Sequence, residues 1–306
     1  MIPVERREFA VIGDPIAHSL SPELFAFVFR ALGVADRYRY RAWRVPAHEL
    51  PEALERVRRG MLAGINVTIP HKERVIPLLD ALDLRAARTG AVNTIAREGG
   101  GLKGYNTDVG GFLRALREAR VDPRGERVVV LGAGGAARAV LLALVEMGVA
   151  HIAVGNRTRE RAERLMKDLQ ARTGFSRWEV VGSGDPALSE AVRGASLLVN
   201  ATSVGMHPYP QRCPLPDPSA LHPGLAVMDL VYNPLETQLL REAKGRGTRP
   251  IDGLNMLIYQ ALEALEIWTQ GELRWEGPIT DIREHLAGVL HEREEATCRS
   301  ERSSST

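Results

Sequence analysis

Short apolar runs of period two alternate along the chain with longer segments whose apolar residues recur every three or four positions. The first pattern suits strands, and the second suits helices with one buried face. Together they predict strands at 9–13, 38–44, 64–68, 92–96, 127–131, 151–154, 178–181, 197–200, 225–229 and 248–251. Helices are predicted between most of them, among them 108–120, 136–147, 159–172 and 254–269. Gly99-Gly100-Gly101 reads as a hairpin turn joining 92–96 to 102–105. Such alternation argues for an α/β protein whose parallel sheets carry helices on their faces.

A chain of 306 residues has room for about two domains. The helix at 108–120 and the turn Asp122-Pro123-Arg124-Gly125 precede Val128-Val129-Val130-Leu131, the most apolar strand. A boundary is therefore expected at Asp108, with 108–251 as one domain. The helix at 254–269 is expected to return to the other, so that 1–107 and 252–291 belong together. The stretch from His207 to Pro223 is proline-rich and reads as a loop. Residues 292–306 lack apolar periodicity, end in Ser303-Ser304-Ser305-Thr306, and are expected to be disordered.

Charge and cysteine usage remove several classes of function. Forty basic against 38 acidic side chains leave a formal charge of +2, without the basic surplus of a nucleic-acid binder. No run reaches the ~18–20 uncharged apolar residues that a membrane span needs. Glu5, Arg6, Arg7 and Glu8 stand before the first apolar stretch, unlike a signal peptide. Cys213 and Cys298 are far apart and lack metal-ligand spacing. The expectation is a cytoplasmic protein with no metal, no membrane contact and no nucleic-acid partner.

Leu131 is followed by Gly132-Ala133-Gly134-Gly135-Ala136-Ala137, between an apolar strand and a helix. Gly132, Gly134 and Ala137 fit the G-x-G-x-x-A form of the dinucleotide fingerprint. Small residues let the backbone turn tightly and let a pyrophosphate approach the free N–H groups at the helix start. The next strand ends in Gly155-Asn156-Arg157-Thr158, with Arg161 close behind. A carboxylate there would hold the ribose hydroxyl of NAD. A guanidinium instead suits a 2′-phosphate through forked, charge-assisted hydrogen bonds, which favours NADP. The plain alternative is that Thr158 caps the helix and Arg157 is solvated.

In Gly64-Ile65-Asn66-Val67-Thr68-Ile69-Pro70 the apolar residues share one face of a strand, and Asn66 and Thr68 share the other. Uncharged polar side chains on a central strand suggest a ligand on that face. Lys72 follows in what reads as the first turn of a helix, where the macrodipole opposes a cation. Thr107 and Asp108 suit the start of the next helix as cap and first-turn acid. Ser21 with Pro22 reads as an N-cap followed by the first helical residue. Ser19 has no such local explanation, and two hydroxyls beside a strand end could hold a carboxylate or a polyol. His18 and His71 read as structural.

Taken in order, these motifs closely resemble the shikimate dehydrogenase family from about residue 9 to about residue 290. Further shared stretches are Gly90-Ala91-Val92-Asn93-Thr94, Tyr105-Asn106-Thr107-Asp108, Asn200-Ala201-Thr202-Ser203 and Asp252-Gly253-Leu254 with Gln260. The resemblance implies an N-terminal α/β substrate domain, a Rossmann-type doubly wound NADP domain and a cleft that closes. It implies reversible, NADPH-dependent reduction of 3-dehydroshikimate to shikimate, by a monomer or homodimer serving aromatic amino-acid (chorismate) biosynthesis. It makes Lys72 and Asp108 catalytic, and Ser19, Ser21, Asn66, Thr68, Asn93, Tyr232 and Gln260 substrate-binding. It assigns cofactor contacts to Gly132, Ala133, Gly134, Gly135, Ala136, Asn156, Arg157, Thr158, Arg161, Leu230 and Gly253. Two departures stand out: Phe25-Ala26 where the family usually has a polar pair, and Asn255 in place of a common glycine. The competing readings are a quinate/shikimate dehydrogenase of broader specificity and a non-enzymatic sensor of NADP or shikimate.

Overall fold

The structure, a computed structural model, describes residues 6–304, with side chains as far as residue 296. The chain falls into two compact units. The first runs to Gly111 and includes Ile258–Val289; the second is Phe112–Leu257 with the stretch from Leu290 onward.

In the first unit, β1 (Arg7–Gly13), α1 (Ser21–Ala31), β2 (Tyr38–Arg44), α2 (Leu50–Arg58) and β3 (Gly64–Val67) lead to a two-residue β4 (Ala81–Leu82). They are followed by α3 (Leu84–Thr89), β5 (Thr94–Glu98), β6 (Gly101–Tyr105) and α4 (Thr107–Glu118). The sheet order is β2-β1-β3-β5-β6-β4. β1 pairs in parallel with β2 and β3, whereas β5 is antiparallel to both β3 and β6. The glycine hairpin forms as expected, so this sheet is mixed rather than parallel throughout. Period two separates its faces. Ala10, Ile12, Ile65, Val67 and Ile95 pack on Leu50, Ala53, Leu54 and Val57 of α2, which recur at helical spacing. The other face holds an aromatic cluster in which Phe9 stacks on Trp268 at 4.8 Å and Phe25 on Tyr40 at 4.2 Å. Each fully buried ring of this kind contributes roughly 1.5–3 kcal/mol of burial energy.

The second unit contains β7 (Arg127–Leu131), α5 (Gly135–Met147), β8 (His151–Asn156), α6 (Arg159–Thr173), β9 (Trp178–Gly182) and α7 (Pro186–Arg193). It continues through β10 (Leu197–Asn200), β11 (Ala226–Asp229), α8 (Gln238–Gly245) and β12 (Arg249–Ile251). Its sheet, β12-β11-β10-β7-β8-β9, is parallel at every pairing. This is the doubly wound order 3-2-1-4-5-6, whose strand direction of travel reverses between β7 and β10. Val128, Val129 and Val130 are buried because both faces of that central strand are covered.

Two expectations need correction. The unit boundaries fall inside α4 and α9 (Leu254–Trp268), not at their first residues, because each helix runs unbroken through the point where the chain changes unit. The tail is not irregular: α10 (Ile279–Ser304) continues through 292–304, and residues 305 and 306 lie outside the described residues. Missing apolar periodicity argues against burial, not against helix. Glu, Arg and Ala are good helix formers, and His291 lies 3.1 Å from Glu295 one turn on.

Candidate active site

Strand direction brings the first unit's polar residues to one edge of its sheet. Lys72 lies in a turn after β3, Asn93 just before β5, and Asp108 just after β6. With β5 antiparallel to both neighbours, the end of β3, the start of β5 and the end of β6 are adjacent. Lys72 Nζ meets Asp108 Oδ2 at 2.5 Å, and their side chains are only 13% and 8% exposed. Asn93 Nδ2 donates to Asp108 Oδ1 and to Thr107 Oγ1, both at 2.8 Å. Both carboxylate oxygens are thereby held, which fixes the plane of the group as well as its charge partner. Gln260 Oε1 on α9 lies 3.3 Å from the same Asn93 amide. The turn carrying Lys72 is tied down by Val92 N–H donating to the Lys72 carbonyl at 2.7 Å.

The network extends to residues that sequence reasoning passed over. Asn66 Nδ2 donates to Thr94 Oγ1 at 3.0 Å and to the Asn93 carbonyl at 3.2 Å. Its Oδ1 accepts the Tyr40 hydroxyl at 2.7 Å. Tyr40 pairs with Phe9 across β2 and β1, and Asn66 pairs with Val11 across β3, so only sheet register reveals their meeting. Between Arg39 and Arg41, Tyr40 gives no local signal.

Three local readings are revised. Lys72 starts no α-helix; it sits in turns that lead into a short 3-10 segment at Ile76–Leu78, so no macrodipole opposes it. Ser21 is the first helical residue rather than the cap, and Leu20 is the cap position. Ser19 has a local partner after all, its Oγ accepting the Ser21 N–H at 3.2 Å. Ser19 and Ser21 follow β1, whose end lies beside the end of β3, and Thr68 directly follows β3. His71 is fully buried with Nε2 2.6 Å from the Val45 carbonyl, a structural role.

In the second unit the predicted cofactor residues gather at the C-terminal ends of parallel strands. Gly132 has φ +111°, and a Cβ there would stand 3.0 Å from the Ala201 backbone, so the turn needs glycine twice over. Around Gly134 the nearest atom to an added Cβ is Arg161 Nη2 at 4.0 Å, which leaves that side of the turn open. Gly134 occupies the cap position of α5 without a side-chain cap, so the first N–H groups of α5 have no side-chain acceptor there. Ala133, Gly135 and Ala136 complete the turn and the helix start, and Arg161 Nε donates to the Ala133 carbonyl at 2.9 Å. Asn156 Nδ2 bonds the Thr158 carbonyl at 2.7 Å, and Arg157 is exposed at the end of β8. Thr158 is the cap residue of α6, yet its hydroxyl makes no cap bond. Gly253 lies against Leu230, where an added Cβ would approach the Leu230 carbonyl to 2.5 Å. Tyr232, half-buried, is two residues beyond Leu230.

Beneath these loops lies a buried polar cluster that sequence reasoning did not single out. Asp229, at the end of β11, is fully buried. Its Oδ1 accepts from Asn200 Nδ2 at 2.8 Å and from Val231 N–H at 3.0 Å, and its Oδ2 from the Thr237 hydroxyl at 2.7 Å. Burial pushes its pKa up to about 6, against the opposing pull of those three donors. An acid closing the apolar run Ala226-Val227-Met228 was the available signal.

The chemistry of the glycine turn fits a dinucleotide: open backbone donors at a helix start, on the strand next to the reversal point of a doubly wound sheet. Fold and turn together put the second unit in the dinucleotide-binding class of α/β proteins. The comparisons with known proteins narrow that class. Residues 11–95 match the shikimate dehydrogenase substrate binding domain, and residues 115–180 match the shikimate / quinate 5-dehydrogenase family. A shikimate dehydrogenase (NADP(+)) of Moorella thermoacetica is 48% identical over 263 residues, 86% of this chain and 88% of the relative. The shikimate 5-dehydrogenase of Thermus thermophilus, solved with NADP(H) and shikimate, is 40% identical, with a TM-score of 0.79 over 93% of this chain and 99% of that one. The enzyme of Listeria monocytogenes, solved with shikimate and NAD, is 35% identical, with a TM-score of 0.82 over 92% of this chain and 96% of that one. The chain belongs to the shikimate dehydrogenase family. Among the described residues, no helix is long and apolar enough to cross a membrane, and no cluster of three or more His, Cys, Asp or Glu could hold a metal ion.

Proposed function

We propose that this protein is an NADP-dependent shikimate dehydrogenase that interconverts 3-dehydroshikimate and shikimate. The observation that carries the reading is the 2.5 Å Lys72–Asp108 pair, held by Asn93 within reach of Gln260, in a chain of this family. A bound dinucleotide supplies or takes the hydride, which leaves binding, orientation and proton handling to the protein. Lys72 Nζ polarises the substrate carbonyl oxygen and gives it a proton during reduction; in oxidation it takes the proton back. Asp108 orients that ammonium and accepts from a neighbouring substrate hydroxyl. Asn66, Thr68, Asn93, Tyr232 and Gln260 bind hydroxyl groups, and Ser19 and Ser21 bind the carboxylate.

On the cofactor side, the first N–H groups of α5 and the turn from Gly132 to Ala136 hold the pyrophosphate. Arg157, with Asn156, Thr158 and Arg161 around it, holds the 2′-phosphate. The absence of a carboxylate at the end of β8 supports NADP over NAD. Leu230 and Gly253 would lie on the nicotinamide side of the site. The near-balance of charge favours a protein without a nucleic-acid partner, and the reading includes a cytoplasmic monomer or homodimer.

Purified protein given shikimate and NADP should show rising absorbance in the reduced-nicotinamide band. Quinate and NAD, run in parallel, should give lower kcat/KM. Lys72→Ala should cut kcat by on the order of 10²–10⁴-fold while leaving the chain folded. Wild-type silence with both acids and both cofactors would refute the reading.

A further inference from the structure

We propose that the buried Asn200–Asp229–Thr237 cluster is the positioning device of the dinucleotide site, holding from below the two loops on which the cofactor rests. The inference builds on the proposed function and concerns residues that do not themselves touch ligand.

All three side chains are fully buried. Asp229 is the hub. One of its oxygens holds the Val231 N–H, which lies between Leu230 and Tyr232, and the other holds the Thr237 hydroxyl. Thr237 in turn caps α8, its Oγ1 accepting the Leu240 N–H at 3.3 Å. Both ends of the 230–237 segment are thereby tied to a single carboxylate. Asn200 carries the restraint to the neighbouring loop. While its Nδ2 donates to Asp229, its Oδ1 accepts from Thr202 N–H at 3.0 Å and from the Thr202 hydroxyl at 2.7 Å.

The cofactor turn packs on the first of these loops through Gly132, and the second is packed by Gly253. Gly132 approaches Ala201 and Thr202 so closely that a Cβ would lie 3.0–3.1 Å from them, and Gly253 abuts Leu230. A shift in either loop would therefore move the floor of the turn or the neighbour of Gly253. The cluster answers a buried negative charge with a hydroxyl, an amide and a backbone N–H, each with fixed direction. Such a fully engaged network suits holding a shape, because any displacement leaves a buried group unpaired.

The test separates holding from mere stability. Thr237→Val removes the hydroxyl at nearly constant size. Leu239→Ala, in the buried face of the same helix, serves as a control that lowers Tm without touching the cluster. The dissociation constant of NADPH, read from nicotinamide fluorescence, is expected to rise about tenfold in Thr237→Val, to recover in Thr237→Ser, and to stay at the wild-type value in Leu239→Ala. A folded Thr237→Val with unchanged NADPH affinity overturns the proposal. Hydrogen exchange on the wild type tests it without any variant: the Val231 and Thr202 amides should be protected in the cofactor-free chain, and free exchange at both overturns it. Binding is measured directly, so NADPH binding without shikimate turnover would refute the functional reading and leave this inference standing.

Discussion

Each unit places an aspartate among polar partners at or just beyond the end of an interior strand, but the two are answered differently. Asp108 faces an ammonium and stays within reach of solvent, at 8% side-chain exposure. Asp229 is sealed and meets only neutral donors, and burial drives its pKa upward. A charge pair that keeps a small exposure can exchange a proton with a ligand. A carboxylate locked among neutral donors cannot do so without breaking its own bonds, and it is suited to fixing backbone. Burial and the type of partner, more than residue identity, divide chemistry from support.

Removing the charge in the first unit gives the largest effect expected of this contrast. Asp108→Ala leaves a mostly buried ammonium without its partner; it should lower kcat by at least about 10²-fold and unfolding free energy by up to ~3–5 kcal/mol. Steady-state kinetics and urea unfolding check both, and near-wild-type turnover would erase the distinction.

The second aspartate should show itself through pH. Its pKa stands at about 6 in the folded chain against an ordinary 3.8. Between these values the unfolded carboxyl has lost its proton while the folded one keeps it. The stabilising contribution is thus complete below about pH 4 and is lost as pH rises through about 6, a swing of roughly 3 kcal/mol. Asp229→Asn should remove that decline, so denaturant midpoints of wild type and variant should diverge across this window. Parallel curves would show that Asp229 ionises without penalty.

Smaller effects should sort by ligand. Arg157→Asp should weaken NADP about tenfold or more while changing NAD little, as measured by the ratio of the two KM values. Tyr40→Phe loses the bond that orients Asn66, worth about 1 kcal/mol, so KM for shikimate should rise about fivefold with NADPH affinity unchanged. A shift in NADPH affinity would contradict the division between the two regions.

Much of this was legible before any coordinates. Period two and period 3.6 located nearly every strand and helix, because burial on one face leaves its mark in local sequence. The glycine turn was legible for the same reason: its steric demands involve consecutive residues. Lys72, Asn93 and Asp108 were each visible, but their convergence depends on β5 running antiparallel between β3 and β6, which no local pattern encodes. Tyr40 and Thr237 were missed because their partners lie far along the chain. The helical course of 292–304 was missed because apolar spacing reports contact with a core, whereas Glu, Arg and Ala favour a helix by intrinsic preference alone.

The exposed end of β8 has a consequence for how such a protein can diverge. Arg157 projects from the surface, and the Thr158 hydroxyl supports no helix cap. Residues here can be exchanged without opening a cavity or orphaning an interior bond. With Arg157 in its proposed role at the 2′-phosphate, coenzyme choice is a trait that can change at little cost to the fold.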